Sequence, residues 1–413
     1  MYLSKIELHN IRCFEDLTID LEKDNQFILW TTILGDNAVG KSTILRCIAM
    51  GLCDETSAGA LMKEPAGEFL RKGEIEGYIK IELKNNSSGK IETITTNITK
   101  DNLESPEKLR QKISDSITPW KDIFFCGYGV HIRDGGGDAF ENYKPLEAVY
   151  TLFNNNSDLQ NPETILLRQN EAFRSLLTDK LLNILMLEGS EIEFTLKGMF
   201  ITGPWGRFRI NDLSDGYRST TQWIVDFFGW AIIADKLSSK STEIEGILLI
   251  DELETHLHPK WQRYIVDRLK KQFPKVQIII TTHSPIIALG TADQEEAKII
   301  ELAFDPNVIN KVVDRTIDSS NYKGYRVDQI LTSSAFNLSI ARSGETGDKM
   351  IKFKKLFMIE TRTEEENKIF LDLKKQLESD IPEAGETESD RKLQRELKET
   401  LEKLNEKLPP NNK

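Results

Sequence analysis

An α/β fold built around a parallel sheet is what this 413-residue sequence predicts, and three observations carry the prediction. An apolar run from Phe27 to Leu34 ends in a glycine-rich loop that opens a helical stretch, Ser42 to Leu52. A second apolar run, Ile247 to Ile250, ends in two carboxylates, Asp251 and Glu252. After it come a helical pattern from Lys260 to Phe273 and a third apolar run from Val276 to Thr281. Strand, helix and strand at that spacing read as a βαβ unit of a parallel sheet.

The remaining elements follow in chain order. Leu3 to Leu8 alternates apolar and polar residues, as an edge strand does, and Phe27 to Leu34 reads as a buried strand. Residues 55–74 are mixed and expected to be irregular. Ile75 to Leu83 and Ile91 to Ile98 have a period of two and flank the turn cluster Asn85 to Gly89, so a hairpin is expected. Ser105 to Lys112 reads as helical, Ile123 to Val130 as a strand, and Gly135-Gly136-Gly137 as a flexible loop. Helical pattern returns between Glu163 and Leu187. Ile192 to Phe200 and Phe208 to Ile210 then flank a turn at Thr202-Gly203-Pro204, and Ser219 to Leu237 is helical. In the tail, Leu393, Leu397, Leu401, Leu404 and Leu408 form a helical stripe, packed on its own head or on a partner.

The net charge of −12 excludes a surface that is basic all over, so any nucleic-acid groove would be a local patch. The four cysteines contain no C-x-x-C pair, which points to buried thiols rather than a zinc clasp or a disulfide framework. The start, MYLSKIELHNIRCF, does not read as a signal peptide. No apolar run approaches the ~20 residues that a membrane span needs. A cytoplasmic protein without a membrane partner is expected.

The chemistry-bearing residues begin with Gly35-Asp36-Asn37-Ala38-Val39-Gly40-Lys41-Ser42, followed by Thr43. The spacing G-x-x-x-x-G-K-S, between a strand and a helix, lets successive backbone N–H groups wrap phosphates. Lys41 would neutralise the outer phosphates and the Ser42 hydroxyl would ligate Mg²⁺. Ligands of open α/β sheets sit at the carboxyl ends of the strands, where Asp251 and Glu252 emerge. There Asp251 is placed to hold Mg²⁺ through water, and Glu252 to polarise the attacking water. His283 ends the next strand on the same sheet edge, within reach of a γ-phosphate.

The order of Lys41, then Leu213-Ser214-Asp215-Gly216-Tyr217-Arg218, then Asp251-Glu252, then His283 resembles the ABC-type ATPase head of the RecF/SMC/OLD-like group. The resemblance implies a mixed β lobe plus a parallel-sheet P-loop core with flanking helices. It implies a signature segment, Leu213, Ser214, Asp215 and Gly216, that acts in trans on the ATP held by a second copy. Asp215 and Tyr217 stand where the signature more commonly has Gly and Gln. His256, Leu257 and His258 occupy the place of the D-loop, which crosses the dimer seam. ATP and Mg²⁺ are the implied cofactors, and a homodimer or higher homo-oligomer is the implied assembly.

The spacer between P-loop and signature is too short for SMC arms. The residues after Glu360 hold no D-x-D pair, so no nuclease activity is expected in this chain. Val327 to Ser333, Arg342-Ser343, Tyr128-Gly129 and Arg133 are similar to segments of the Toprim-less anti-phage ATPases of the Septu PtuA type. That implies an ATP-driven engine gating a separate nuclease, often of the HNH type, with any DNA contact made through the complex. Two alternatives stand beside it. One is a RecF-like repair ATPase that binds DNA directly, with Lys352, Lys354 and Lys355 as a basic cluster. The other is a nucleotide-stabilised scaffold with little hydrolysis. The expected division is a head at 1–320, with helical and β-hairpin insertions at about 55–210, and a helical C-terminal region at 321–413.

Overall fold

The computed structural model describes residues 1–63, 68–86, 88–114, 123–130, 133–137, 140–195, 198–255, 257–304, 312–333, 336, 338, 344–359 and 362–380. The chain divides into two compact units, Met1–Asn337 and Leu338–Lys413. The first holds a six-stranded sheet and a five-stranded sheet with helices packed between and around them.

The six-stranded sheet runs in the order Val312–Asp318, Ala297–Phe304, Trp30–Gly35, Lys275–Thr282, Glu245–Ile250, Phe125–Tyr128. All neighbours are parallel except Val312–Asp318, which is antiparallel to Ala297–Phe304. Burial on both faces explains the unbroken apolar runs that mark these strands in the sequence. Successive side chains then sort to opposite faces. Ile247, Leu249 and Ile279 join Ile44, Leu45 and Ile48 of the helix Lys41–Leu52 in one cluster. Leu248, Ile250, Ile278 and Ile280 join Ile224, Phe227 and Phe228 of the helix Asp215–Ile233, and Ile265 and Leu269 of the helix Pro259–Gln272, in the other.

The five-stranded antiparallel sheet has the order Phe14–Asp20, Tyr2–Ile11, Glu76–Lys84, Ile91–Thr99, Lys108–Ile113. It lays Leu3, Ile6, Ile79 and Ile81 onto the other side of the helix Lys41–Leu52. The expected hairpin of Glu76–Lys84 with Ile91–Thr99 is present. Lys41–Leu52 is therefore held between two sheets, and its N-terminus points from a rigid mount.

Several local expectations are corrected. Tyr2–Ile11 is not an edge strand, because it pairs on both sides. Its half-polar pattern reflects one solvated sheet face, not an unpaired edge. Residues 55–74 contain the helix Glu55–Met62, started by Asp54, whose carboxylate accepts from Thr56 N and Ser57 N. Ser105 to Lys112 is no helix: Lys108–Ile113 is a strand whose exposed Lys108, Arg110 and Lys112 alternate with half-buried Leu109, Gln111 and Ile113. Six residues are too few to separate the two periods by inspection. Gly135 to Gly137 belongs to a short strand, Arg133–Gly137, parallel to Asp158–Gln160. A run without side chains shows no period, so the sequence hides it. The expected Ile192 to Phe200 strand is two strands, Glu191–Thr195 and Gly198–Gly203, in a three-stranded meander completed by Gly206–Arg209.

In the second unit, Gly344–Phe357 and Glu364–Asp380 are helices, joined through stacking of Phe353 and Phe357 on Phe370. The leucine stripe from Leu393 to Leu408 and the pair Arg342-Ser343 lie outside the described residues. Among the described residues, no helix is long and apolar enough to cross a membrane.

Candidate active site

The loop between Trp30–Gly35 and Lys41–Leu52 is built for close approach of a ligand. Ala38 and Gly40 have φ of 66° and 94°. A Cβ on Gly40 would sit 2.5 Å from Cys13 Sγ and 2.6 Å from the Phe14 ring, so only glycine fits there. Gly40 caps the helix without any side-chain bond, which leaves the first N–H groups of a 12-residue helix directed at the loop. That is an anion cradle.

Lys41 is buried, and its Nζ donates to the carbonyls of Gly35 and Asp36, each at 2.9 Å. Burial lowers its pKa, against the opposing pull of Glu252, Asp251, Glu254 and Asp36. Ser42 Oγ donates to Asp251 Oδ1 at 3.0 Å. A hydroxyl and a carboxylate side by side are the hard oxygen donors that Mg²⁺ takes. A triphosphate with Mg²⁺ therefore fits the residues present: Gly35 to Thr43 for the phosphates, Ser42 and Asp251 for the metal.

Strand Glu245–Ile250 delivers Asp251 and Glu252 beside this loop, and strand Lys275–Thr282 delivers His283. The buried Thr281 hydroxyl ties the carboxylate pair: it donates to Asp251 Oδ1 at 2.5 Å and accepts from Glu252 N at 2.8 Å. Glu252 holds φ at 49°, a left-handed conformation that non-glycine residues seldom adopt. The Thr281 bond offsets that strain. His283 stands between two members of the group, with Nδ1 3.4 Å from Lys41 Nζ and Nε2 3.6 Å from Glu252 Oε1. One cleft thus gathers Asn37, Ala38, Gly40, Lys41, Ser42, Thr43, Glu252 and His283.

Arg12, Cys13 and Arg46 line the same cleft, and no motif in the sequence marks them. Arg12 follows strand Tyr2–Ile11 with φ at 50°, and Arg46 is fixed by donating from Nε to Leu152 O at 2.6 Å. Neither has a spacing signal in the sequence. Arg46 is readable only as one turn beyond Ser42 on the same helix.

The signature segment is divided: Asp215 and Arg218 line a cleft with Asp251 and Glu252, whereas Ser214 and Gly216 face another way. Ser214 occupies the N-cap position of Asp215–Ile233, yet its side chain makes no cap bond. Asp215 instead pairs with Arg218 at 3.0 Å. Ser214 and Gly216 line a second cleft together with Tyr217, His258, Lys260 and Trp261. His258 caps the helix Pro259–Gln272, its Nδ1 accepting from Lys260 N at 3.2 Å, and Leu257 is buried. His256 lies outside the described residues.

The Septu protein PtuA of Bacillus mycoides (strain KBAB4) is 31% identical over 348 residues, covering 82% of this chain and 45% of that protein. The chain is similar to PtuA over most of its own length. Residues 5–185 match the family described as "AAA domain". Residues 144–289 match "AAA domain, putative AbiEii toxin, Type IV TA system". The Septu protein PtuA of Bacillus thuringiensis is 34% identical over 32% of this chain and 31% of that protein. The "Retron Vc95 probable ATPase" of Vibrio cholerae serotype O1 biovar El Tor is 40% identical over 22% of this chain and 18% of that protein. The chain thus spans less than half the length of the curated relatives it matches. A solved SMC head domain from Thermotoga maritima is 14% identical, covering 77% of this chain and 100% of that one, with a TM-score of 0.45.

Proposed function

We propose that this chain hydrolyses ATP at a site completed by a second copy of itself, and that the cycle gates a separate nuclease, of the HNH type, in cytoplasmic anti-phage defence. The observation that carries the first part is that Ser214 and Gly216 open away from the phosphate loop of their own chain. The phosphate loop, Glu252 and His283 share one cleft, while Ser214 and Gly216 line another. A two-fold pair would set the second cleft of each copy over the first cleft of the other, as isologous contacts require. The defence assignment is supported by the relatives named Septu protein PtuA and retron ATPase.

In the closed pair, the N–H groups of residues 38–43 and the Lys41 ammonium hold the phosphates. Lys41 exchanges its two carbonyl bonds for phosphate oxygens. Bound Mg²⁺, held by Ser42 and Asp251, would neutralise charge that develops on the leaving phosphate oxygens. Glu252 orients a water and takes its proton. His283 donates a hydrogen bond to the γ-phosphate and is kept beside Glu252. The partner's signature segment closes the site against bulk water.

The deciding experiment is steady-state ATP turnover across protein concentration, for wild type and Glu252→Gln. Wild type should rise with more than first-order dependence on protein, and the variant should bind ATP without turning it over. A first-order rate from a species of monomer mass would refute completion by a second copy.

A further inference from the structure

One segment joins the two clefts. Residue 252 lines the first cleft and residue 258 lines the second, so the loop between them runs from one cleft to the other. Internal bonds make this loop a tight structure: Thr255 N donates to Glu252 O and Leu257 N to Glu254 O, each at 2.9 Å. Leu253 N reaches across to Thr281 O at 3.2 Å.

Two side chains then bolt the loop to the residues around His283. Glu254 Oε1 accepts the His283 backbone N–H in a short bond, and the carboxylate also bonds the Thr282 side chain. Its other oxygen is buried with no hydrogen-bond partner. Burial raises the Glu254 pKa, although the His283 N–H and the Thr282 bond oppose the shift. On the other side, Gln262 makes a bridge from the helix Pro259–Gln272. Its Nε2 donates to Leu257 O at 2.8 Å, and its Oε1 accepts from Ser284 Oγ at 2.6 Å. A buried carboxylate left half-satisfied is costly to keep unless its geometry is used.

We infer that Glu254 and Gln262 are positioning residues for His283, holding its imidazole between Lys41 and Glu252 and fixing it to the loop that reaches the second cleft. Neither touches the phosphate cleft itself. The inference rests on the ATPase reading above and adds to it the residues that set the histidine.

The test compares Glu254→Ala, Glu254→Gln and Gln262→Ala with wild type, in the full-length protein. Each is measured for kcat, for KM with ATP, and for melting temperature. Both Ala variants should lower kcat by about tenfold or more, because small misplacements at a reacting centre are expensive. KM should stay within about twofold of wild type, since the phosphate loop is untouched. Glu254→Gln keeps an acceptor oxygen for the His283 N–H, so it should restore kcat to within about threefold. Loss of kcat that Gln does not rescue, or a rise in KM with kcat kept, would overturn the inference.

A second measurement is independent of turnover: amide hydrogen exchange in the peptide spanning residues 281–286. The His283 amide should exchange slowly in wild type and rapidly in Glu254→Ala, and equal exchange would also overturn it. If wild type hydrolyses no ATP, the proposed function fails, while the exchange result still decides whether Glu254 holds His283.

Discussion

At the scale of single residues, the cleft is organised by a hydroxyl that carries no charge. Thr281 is fully buried, donates to Asp251 and accepts from Glu252 N. Thr281→Val keeps the shape but leaves the Glu252 N–H, already in a left-handed backbone, without its acceptor. Such a loss costs about 1–3 kcal/mol locally. It also frees both carboxylates to shift. The expected outcome is a fall in kcat of about 10²-fold with ATP affinity nearly kept, whereas Thr281→Ser stays close to wild type. Turnover assays with equilibrium binding of a fluorescent ATP analogue would check this, and an unchanged kcat in the Val variant would refute it. The sequence revealed Lys41, Asp251 and Glu252 because loop spacing and strand ends are local patterns. It did not reveal Thr281, because a threonine inside an apolar strand looks like filler until the neighbouring strand is placed beside it.

At the scale of elements, the helix that carries Ser214 is tied to the core sheet through one buried acid. Asp226 Oδ2 accepts from Tyr128 Oη at 2.8 Å, and Oδ1 accepts from Gln160 N at 3.1 Å and Gln160 Nε2 at 3.2 Å. The bonds link Asp215–Ile233 to strand Phe125–Tyr128 and to strand Asp158–Gln160. Burial pushes the Asp226 carboxyl up to about 6, against the lowering by its hydrogen bonds. The unfolded value is the ordinary one near 4. A folded pKa above the unfolded one means that protonation favours the folded state. The contribution is complete below about pH 4 and is lost as pH rises through about 6. Moving from pH 7 to pH 5 should therefore stabilise wild type by about 1 kcal/mol relative to Asp226→Asn, which has no proton to gain. Urea unfolding of both proteins at the two pH values reads the difference. A gap that does not change with pH would show that Asp226 does not titrate in this range. The same elements show where sequence patterns fail: Asp158–Gln160 and Arg133–Gly137 are too short, and too poor in side chains, to display a period. Asp158–Gln160 is held instead by the bonds that Gln160 makes to Asp226 of the helix Asp215–Ile233.

At the scale of the whole molecule, the separation of Ser214 and Gly216 from the phosphate loop makes a prediction that no single chain can mimic. The order of the motifs was legible because a P-loop, an Asp-Glu strand end and a strand-end histidine must converge on one sheet edge. Convergence of Ser214 with Lys41 was not legible as a contact, and within one chain it does not occur. If two copies complete each other, two dead variants should revive in a mixture. Lys41→Ala disables the phosphate loop, and Ser214→Arg fills the second cleft with a bulky cation. Each alone forms only defective sites. In a mixed pair, one site combines both defects and the other combines neither. With random exchange, about half the pairs are mixed and half of their sites are intact, so about a quarter of the wild-type rate should return under two-fold symmetry. Turnover measured on equal mixtures after subunit exchange reads this directly. A mixture no more active than the sum of its parts would show that Ser214 serves the ATP of its own chain, or none.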